Sequence, residues 1–300
     1  MQQSARAGLL YAIAGFTILS IGDAVVKSMA GAWPALPVAA LRFTFGAAAL
    51  SALLWVKEGP RAFWPSNPRL QLMRGICLAL ASLCFFSAIY LMPLAEAMAI
   101  AFLAPILTAM LSGPMLGEKV RLPVWIASVI AFGGVILILR PNLVAIGWPA
   151  ILPVISAVFF ALMVVLNRKA AGQGSALSMQ VYIAIVAAII LSAAAIGAKF
   201  SGIAAFEFGW PNLDVIARCA LVAITASTAH WLAFLGTTKA GAAQVAPAIY
   251  VQLLVAIIMG WWWFGDMPDA VTLIGAAVII AAGLYLWRHN VSEEKRQNRV

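Results

Sequence analysis

Residues 101–118 read AFLAPILTAMLSGPMLGE, and 148 residues further on positions 249–266 read IYVQLLVAIIMGWWWFGD. Each stretch is an apolar run closed by a glycine and an acid, so that Gly117 falls on Gly265 and Glu118 on Asp266. Each is followed by another apolar span ending on an arginine, Arg140 in the first case and Arg288 in the second. A weaker match aligns Val26-Lys27 with Leu166-Arg168 after a small gap. The chain therefore reads as two copies of one unit. If the unit crosses a membrane five times, the second copy must enter from the opposite side, and the two are inverted relative to each other.

Composition supports the membrane. Of 300 residues, 64% are hydrophobic and 10% charged, with a mean hydropathy of +1.01, against about 25% charged in soluble domains. A helical span needs about 20 mostly apolar residues, and the hydropathy pattern predicts helices over 7–27, 38–56, 72–91, 94–114, 122–140, 149–167, 178–198, 214–236, 242–264 and 270–288. The expected organisation is a first repeat over 1–140, a second over 141–288 and a polar tail over 289–300. No length is left for a soluble catalytic domain. The net charge of +9 does not point to nucleic acid, because the basic residues sit in short loops rather than on one solvated face. Cys77, Cys84 and Cys219 form no CxxC and no disulfide pattern. With the N-terminus in the cytoplasm, fourteen Lys and Arg lie on that side and four outside, so the positive-inside rule selects cytoplasmic termini.

Phe102-Leu103-Ala104-Pro105 and Leu116-Gly117-Glu118-Lys119, ahead of Gly133-Gly134, resemble the drug/metabolite transporter superfamily, specifically its EamA-type members. So do Ala246-Pro247, Tyr250-Val251-Gln252, Phe264-Gly265-Asp266 and Pro268 in the second half. The resemblance covers residues 8–288 and looks most like bacterial exporters of aromatic and neutral amino acids. It implies an all-α integral membrane protein of ten transmembrane helices arranged as two inverted five-helix repeats. It further implies a multi-pass inner-membrane carrier that works by alternating access, as a monomer, without a cofactor. Its partners would be the lipid bilayer and an amino acid or small metabolite. Helices one, three, four, six, eight and nine would surround the cavity. Where the first copy has Pro105, the second has Leu253.

Candidate functional residues follow from what is costly in a bilayer. A freed backbone group at depth needs a partner, so Pro105 in the fourth helix and Pro247 in the ninth mark breaks. They either present backbone to a solute or form packing kinks. Ionisable residues inside spans are functional candidates by default. Asp23 and Lys27 are four apart on one helix face, Arg42 lies at similar depth in the second helix, and Glu96 opens the fourth. They form a structural charge cluster, or Asp23 or Glu96 attracts a substrate ammonium at the outer mouth. His230 is a candidate proton relay or a donor across a helix interface. Ten of the tryptophans lie at or beyond span ends, as an interfacial belt requires. Deeper aromatic candidates for a substrate pocket are Phe86, Tyr90, Phe102, Trp231 and Tyr250, joined by Asn167, Gln244 and Gln252. Aromatic faces mixed with a few amides suit an amphipathic small molecule. No P-loop, HExxH or His/Cys cluster supports an ATPase or metal enzyme. The alternatives to an amino acid exporter are a carrier of other metabolites or drugs, in either direction, and a pore-forming channel.

Overall fold

The computed structural model describes residues 2–117, 122–203, 207–240 and 246–297. The described chain is helical, and several of its helices begin or end on capping residues. They are α1 (Gln2–Lys27), α2 (Ala35–Glu58), α3 (Pro68–Leu91), α4 (Leu94–Ala101), α5 (Ala104–Leu116), α6 (Leu122–Ile146), α7 (Leu152–Lys169), α8 (Ala176–Lys199), α9 (Leu213–Ala240), α10 (Val251–Phe264) and α11 (Ala270–Gln297), with single 3-10 turns between some of them. Side-chain oxygens of Asn67, Ser175, Asn212 and Asp269 accept from the backbone N–H three residues on and cap α3, α8, α9 and α11. Gly117 and Gly265 close α5 and α10 with φ of +73° and +71°, a left-handed turn that glycine enters without steric penalty. The motif shared by the two copies is thus the same helix stop, used twice.

Among the described residues nine spans are long and apolar enough to cross a bilayer, and Ala248–Phe264 is a shorter tenth. Two expected helices are not continuous. The fourth span is split into α4 and α5 at Phe102-Leu103, and Pro105 stands in the first turn of α5, where its missing N–H removes no helical bond. Pro105 therefore starts a helix rather than kinking one. The ninth span opens as a 3-10 turn over Ala246–Tyr250, containing Pro247, before α10 begins.

The helices pack mainly across the two halves. The most extensive pairings are α1 with α9, α3 with α7, α2 with α8 and α6 with α11. Exchanging the halves turns α1 into α7 and α9 into α3, so the first two pairings convert into each other and the last two into themselves. α1 and α9 come within backbone distance because small residues line the contact. A Cβ at Gly15 would fall 2.8 Å from the Ala229 carbonyl, one at Gly22 2.8 Å from Thr225 Oγ1, and one at Gly236 2.8 Å from the Gly8 carbonyl. Gly134 and Gly275 meet similarly between α6 and α11. Association by close packing of small residues is what a hydrocarbon solvent leaves available, since lipid tails are as apolar as leucine. Large apolar side chains such as Val129, Ile136 and Leu254 are exposed on the outside, which is the face a bilayer covers.

Gly15→Val should therefore force α1 from α9, with a loss of about 1–3 kcal/mol, as overpacking a tight interface does. Gly46→Ala, where an added Cβ meets nothing within 4 Å, should leave the thermal midpoint in detergent unchanged or raised. An equal response from the two variants would show that the glycine seam does not hold the halves together.

Candidate functional site

At one end of the bundle the halves are tied by polar contacts. Lys27, the last residue of α1, donates to the Met92 carbonyl at 3.0 Å and to Asp266 Oδ2 at 2.6 Å, with its ammonium 5.1 Å above the centre of the Phe264 ring. Asp266 reaches this position because Gly265 turns the chain at the end of α10, and its own N–H bonds back to the Gly260 carbonyl at 2.9 Å. The sequence places Lys27 one helical turn from Asp23, yet its ion pair is made with the other half. Beside it, Arg218 of α9 donates to the Ser28 carbonyl and hydroxyl at 3.1 and 2.9 Å and pairs with Asp214 at 3.0 Å. Glu96 is buried between α4 and α11, where Thr272 approaches its carboxylate at 3.5 Å.

About 6 Å of helix rise inward from Lys27 lies a second charged group. Asp23 and Arg42 interact electrostatically, but among the described residues the two form no ion pair within 4 Å. Arg42 is instead held over aromatic faces, its guanidinium carbon 4.5 Å from the Phe43 ring centre and 5.3 Å from that of Phe86. Its Nε is enclosed without a hydrogen-bond partner, and so is the Tyr90 hydroxyl. Phe86 and Tyr90 are one turn apart on α3 and share a face. Cys219 of α9 is buried, its thiol against the Met29 sulfur at 3.8 Å and the Val38 carbonyl at 4.0 Å. His230 is accessible yet close enough to interact with Arg42. Buried polar groups are almost always hydrogen-bonded, and the exceptions require an explanation.

The seam between the halves lies at the two helix breaks. Phe102, at the end of α4, and Tyr250, at the start of α10, hold equivalent positions in the two copies, and their rings meet edge to face at 5.4 Å. The Tyr250 hydroxyl lies against Gly283 of α11, in space that a side chain there would occupy. Gln252 is buried, and its carbonyl accepts from Ser20 of α1 at 2.9 Å.

Other sequence candidates stand elsewhere. Asn167 accepts from Arg74 Nε at 2.6 Å, and Arg74 also donates to Gln71 and to the Met179 sulfur. This buried polar knot joins α3, α7 and α8. Trp231 is 55% exposed, near Phe234 and under the Lys57 ammonium. Gln244 lies outside the described residues, as does the side chain of Pro247. Sequence reasoning missed Phe43, Cys219, Arg74 and the pairing role of Asp266. Of these, Asp266 alone carried a signal, its place in the repeated helix stop. Among the described residues no cluster of His, Cys, Asp and Glu could hold a metal ion.

The profile of the EamA-like transporter family matches residues 6–140 and again 147–288. An S-adenosylmethionine uptake transporter of Rickettsia conorii is 25% identical over 93% of this chain and 91% of its own. A riboflavin transporter of Rhizobium johnstonii is 26% identical over 87% of this chain and 85% of its own. A pseudopaline exporter of Pseudomonas aeruginosa is 25% identical over 94% and 96%. One crystal structure aligns with 94% of this chain and 97% of its own at a TM-score of 0.61 and 19% identity, which is a likeness of fold.

Lys27→Gln and Asp266→Asn should each lower the thermal midpoint, and the double variant should lose less than their sum. The expected coupling is about 1–2 kcal/mol, since the bond is charge-assisted and only partly exposed. Additive single effects would show that the two side chains do not act as a pair.

Proposed function

We propose that this chain, which belongs to the EamA-like transporter family, is a secondary carrier that exports aromatic or neutral amino acids, or related small metabolites, by alternating access. The bilayer is the inner membrane, both termini are cytoplasmic, one copy of the chain suffices, and the two working halves are residues 1–140 and 141–288. The observation that carries this reading is the pair of enclosed, unpartnered donors, Arg42 Nε and the Tyr90 hydroxyl, with Asp23 close by. An amino acid presents groups that match these donors and this acceptor. The rings of Phe43 and Phe86 beneath Arg42 offer an apolar wall to its side chain.

Alternating access requires two ends that open in turn. In the proposed orientation the Lys27 end faces outside, and the Lys27–Asp266 bridge and the Arg218–Ser28 bonds lie between the charged group and that surface. Outward opening would break these bonds while the ring contact of Phe102 and Tyr250 shifts at the centre. The relatives add breadth to the substrate question. S-adenosylmethionine carries the α-amino and α-carboxylate groups of methionine, whereas riboflavin carries neither. Uptake and export names occur at the same level of identity, so the outward direction rests on the resemblance of the motifs to amino acid exporters.

Purified protein in liposomes loaded with unlabelled phenylalanine or leucine should take up the labelled amino acid by saturable counterflow. Arg42→Gln should reduce the rate at least tenfold at unchanged expression. Competition by other amino acids, S-adenosylmethionine, riboflavin, sugars and organic cations, with and without a pH gradient, would define the range. Flux that neither saturates nor responds to solute on the far side would mean a channel. No movement of any solute in this panel by folded protein would overturn the proposal.

A further inference from the structure

We infer that Gly283 is a positioning residue for the seam: the side chain it lacks leaves a socket for the hydroxyl end of Tyr250, and the socket holds that ring edge-on to Phe102. Its part in transport rests on the carrier reading above. Gly283 lies in the interior of α11, where glycine weakens a helix relative to alanine. Its φ lies outside the left-handed region, so the backbone conformation does not call for glycine. The requirement is space. A Cβ at position 283 would overlap the Tyr250 hydroxyl oxygen and come within 3.1 Å of Cζ, a conflict that only movement of the ring or of the helix could relieve.

The two copies fill these positions differently. At the 148-residue spacing of the repeat, Tyr250 corresponds to Phe102 and Gly283 to Val135. The first copy combines a ring that has no hydroxyl with a branched side chain, and both are buried. The second combines the longer phenol with no side chain at all. Volume added at one position is removed at the other, the kind of exchange that close packing tolerates. Each ring is carried on the break of its own copy, since Phe102 caps the end of α4 and Tyr250 ends the 3-10 turn and caps α10. The socket therefore fixes the second break against α11, about two helical turns beyond the point where Gly275 meets Gly134 of the other half. Filling it would displace the phenol, and the edge-to-face contact at 5.4 Å would be lost. Gly283 has no side chain with which to touch a solute, so its effect on transport must pass through the position of the ring.

The test is a double-variant cycle on the intact protein. It is read as the thermal midpoint in detergent and as counterflow in liposomes of phenylalanine, or of whichever solute in the panel above the unaltered protein exchanges. Gly283→Ala should lower the midpoint and reduce the maximal counterflow rate about tenfold or more, while the half-saturating concentration moves less than about threefold. In the Tyr250→Phe background, whatever that change itself costs, adding Gly283→Ala should cost less than about twofold. There it should leave the midpoint unchanged or raised, because alanine favours a helix once the hydroxyl is gone. Gly46→Ala, with open space at its Cβ, should cost no counterflow. Should Gly283→Ala fail to fold, the double variant decides: folded protein supports the socket and unfolded protein overturns it. Equal losses in both backgrounds, or no loss in either, would overturn the socket while leaving a carrier. A coupled change of midpoint with undiminished counterflow would overturn the positioning role. No counterflow of any solute by the unaltered protein would remove the carrier reading and the part of Gly283 in it, and the midpoints would still decide the socket.

Discussion

In hydrocarbon no water takes up a backbone group released from a helix, so a helix can break only where protein covers the break. That constraint organises this molecule. The interruption at Phe102-Leu103 and the 3-10 turn over Ala246–Tyr250 are equivalent places in the two copies, and the rings of Phe102 and Tyr250 close on each other there. Each half supplies the cover for the other. The remaining contacts between the halves follow, with α1 laid on α9 through glycine and alanine and α6 laid on α11 through Gly134 and Gly275.

The same solvent sets a high cost on charge, and the protein answers it in three ways. Lys27 is satisfied by an acid from the other half together with a carbonyl. Arg74 is buried among neutral partners, Asn167, Gln71 and the sulfur of Met179. Arg42 rests on aromatic rings with one donor unsatisfied. The first two arrangements bind helices together. The third leaves hydrogen-bonding capacity unused.

Much of this was legible along the chain, and the limits have physical reasons. The repeat at 101–118 and 249–266 exposes two helix stops because Gly117 and Gly265 are needed for the same left-handed turn. Asp23 and Arg42 stand out because an ion inside an apolar run is expensive wherever it points. What a helix face shows of partners is only its own side. Asp23 and Lys27 share a face, but the face of α1 that carries Lys27 is met by Asp266. Asn167 resembles a pocket amide in sequence, yet Arg74 claims its oxygen. Trp231 and Tyr90 are both aromatic residues within spans, and only packing separates one on the outside from one enclosed beside a charge. Pro105 announces a break, but the break falls before it, since proline is comfortable in the first turn of a helix.

The sequence by itself determined the solvent, the number of spans, the duplication and its inversion, because hydropathy, length and the parity of crossings are properties of a string. The tertiary structure alone decided which charges are spent on holding helices and which stay open. Lys27 and Asp266 are 239 residues apart, and Ser20 meets the carbonyl of Gln252 across 232. No periodicity encodes such meetings. They follow from how two inverted bundles rotate against each other until their small residues touch.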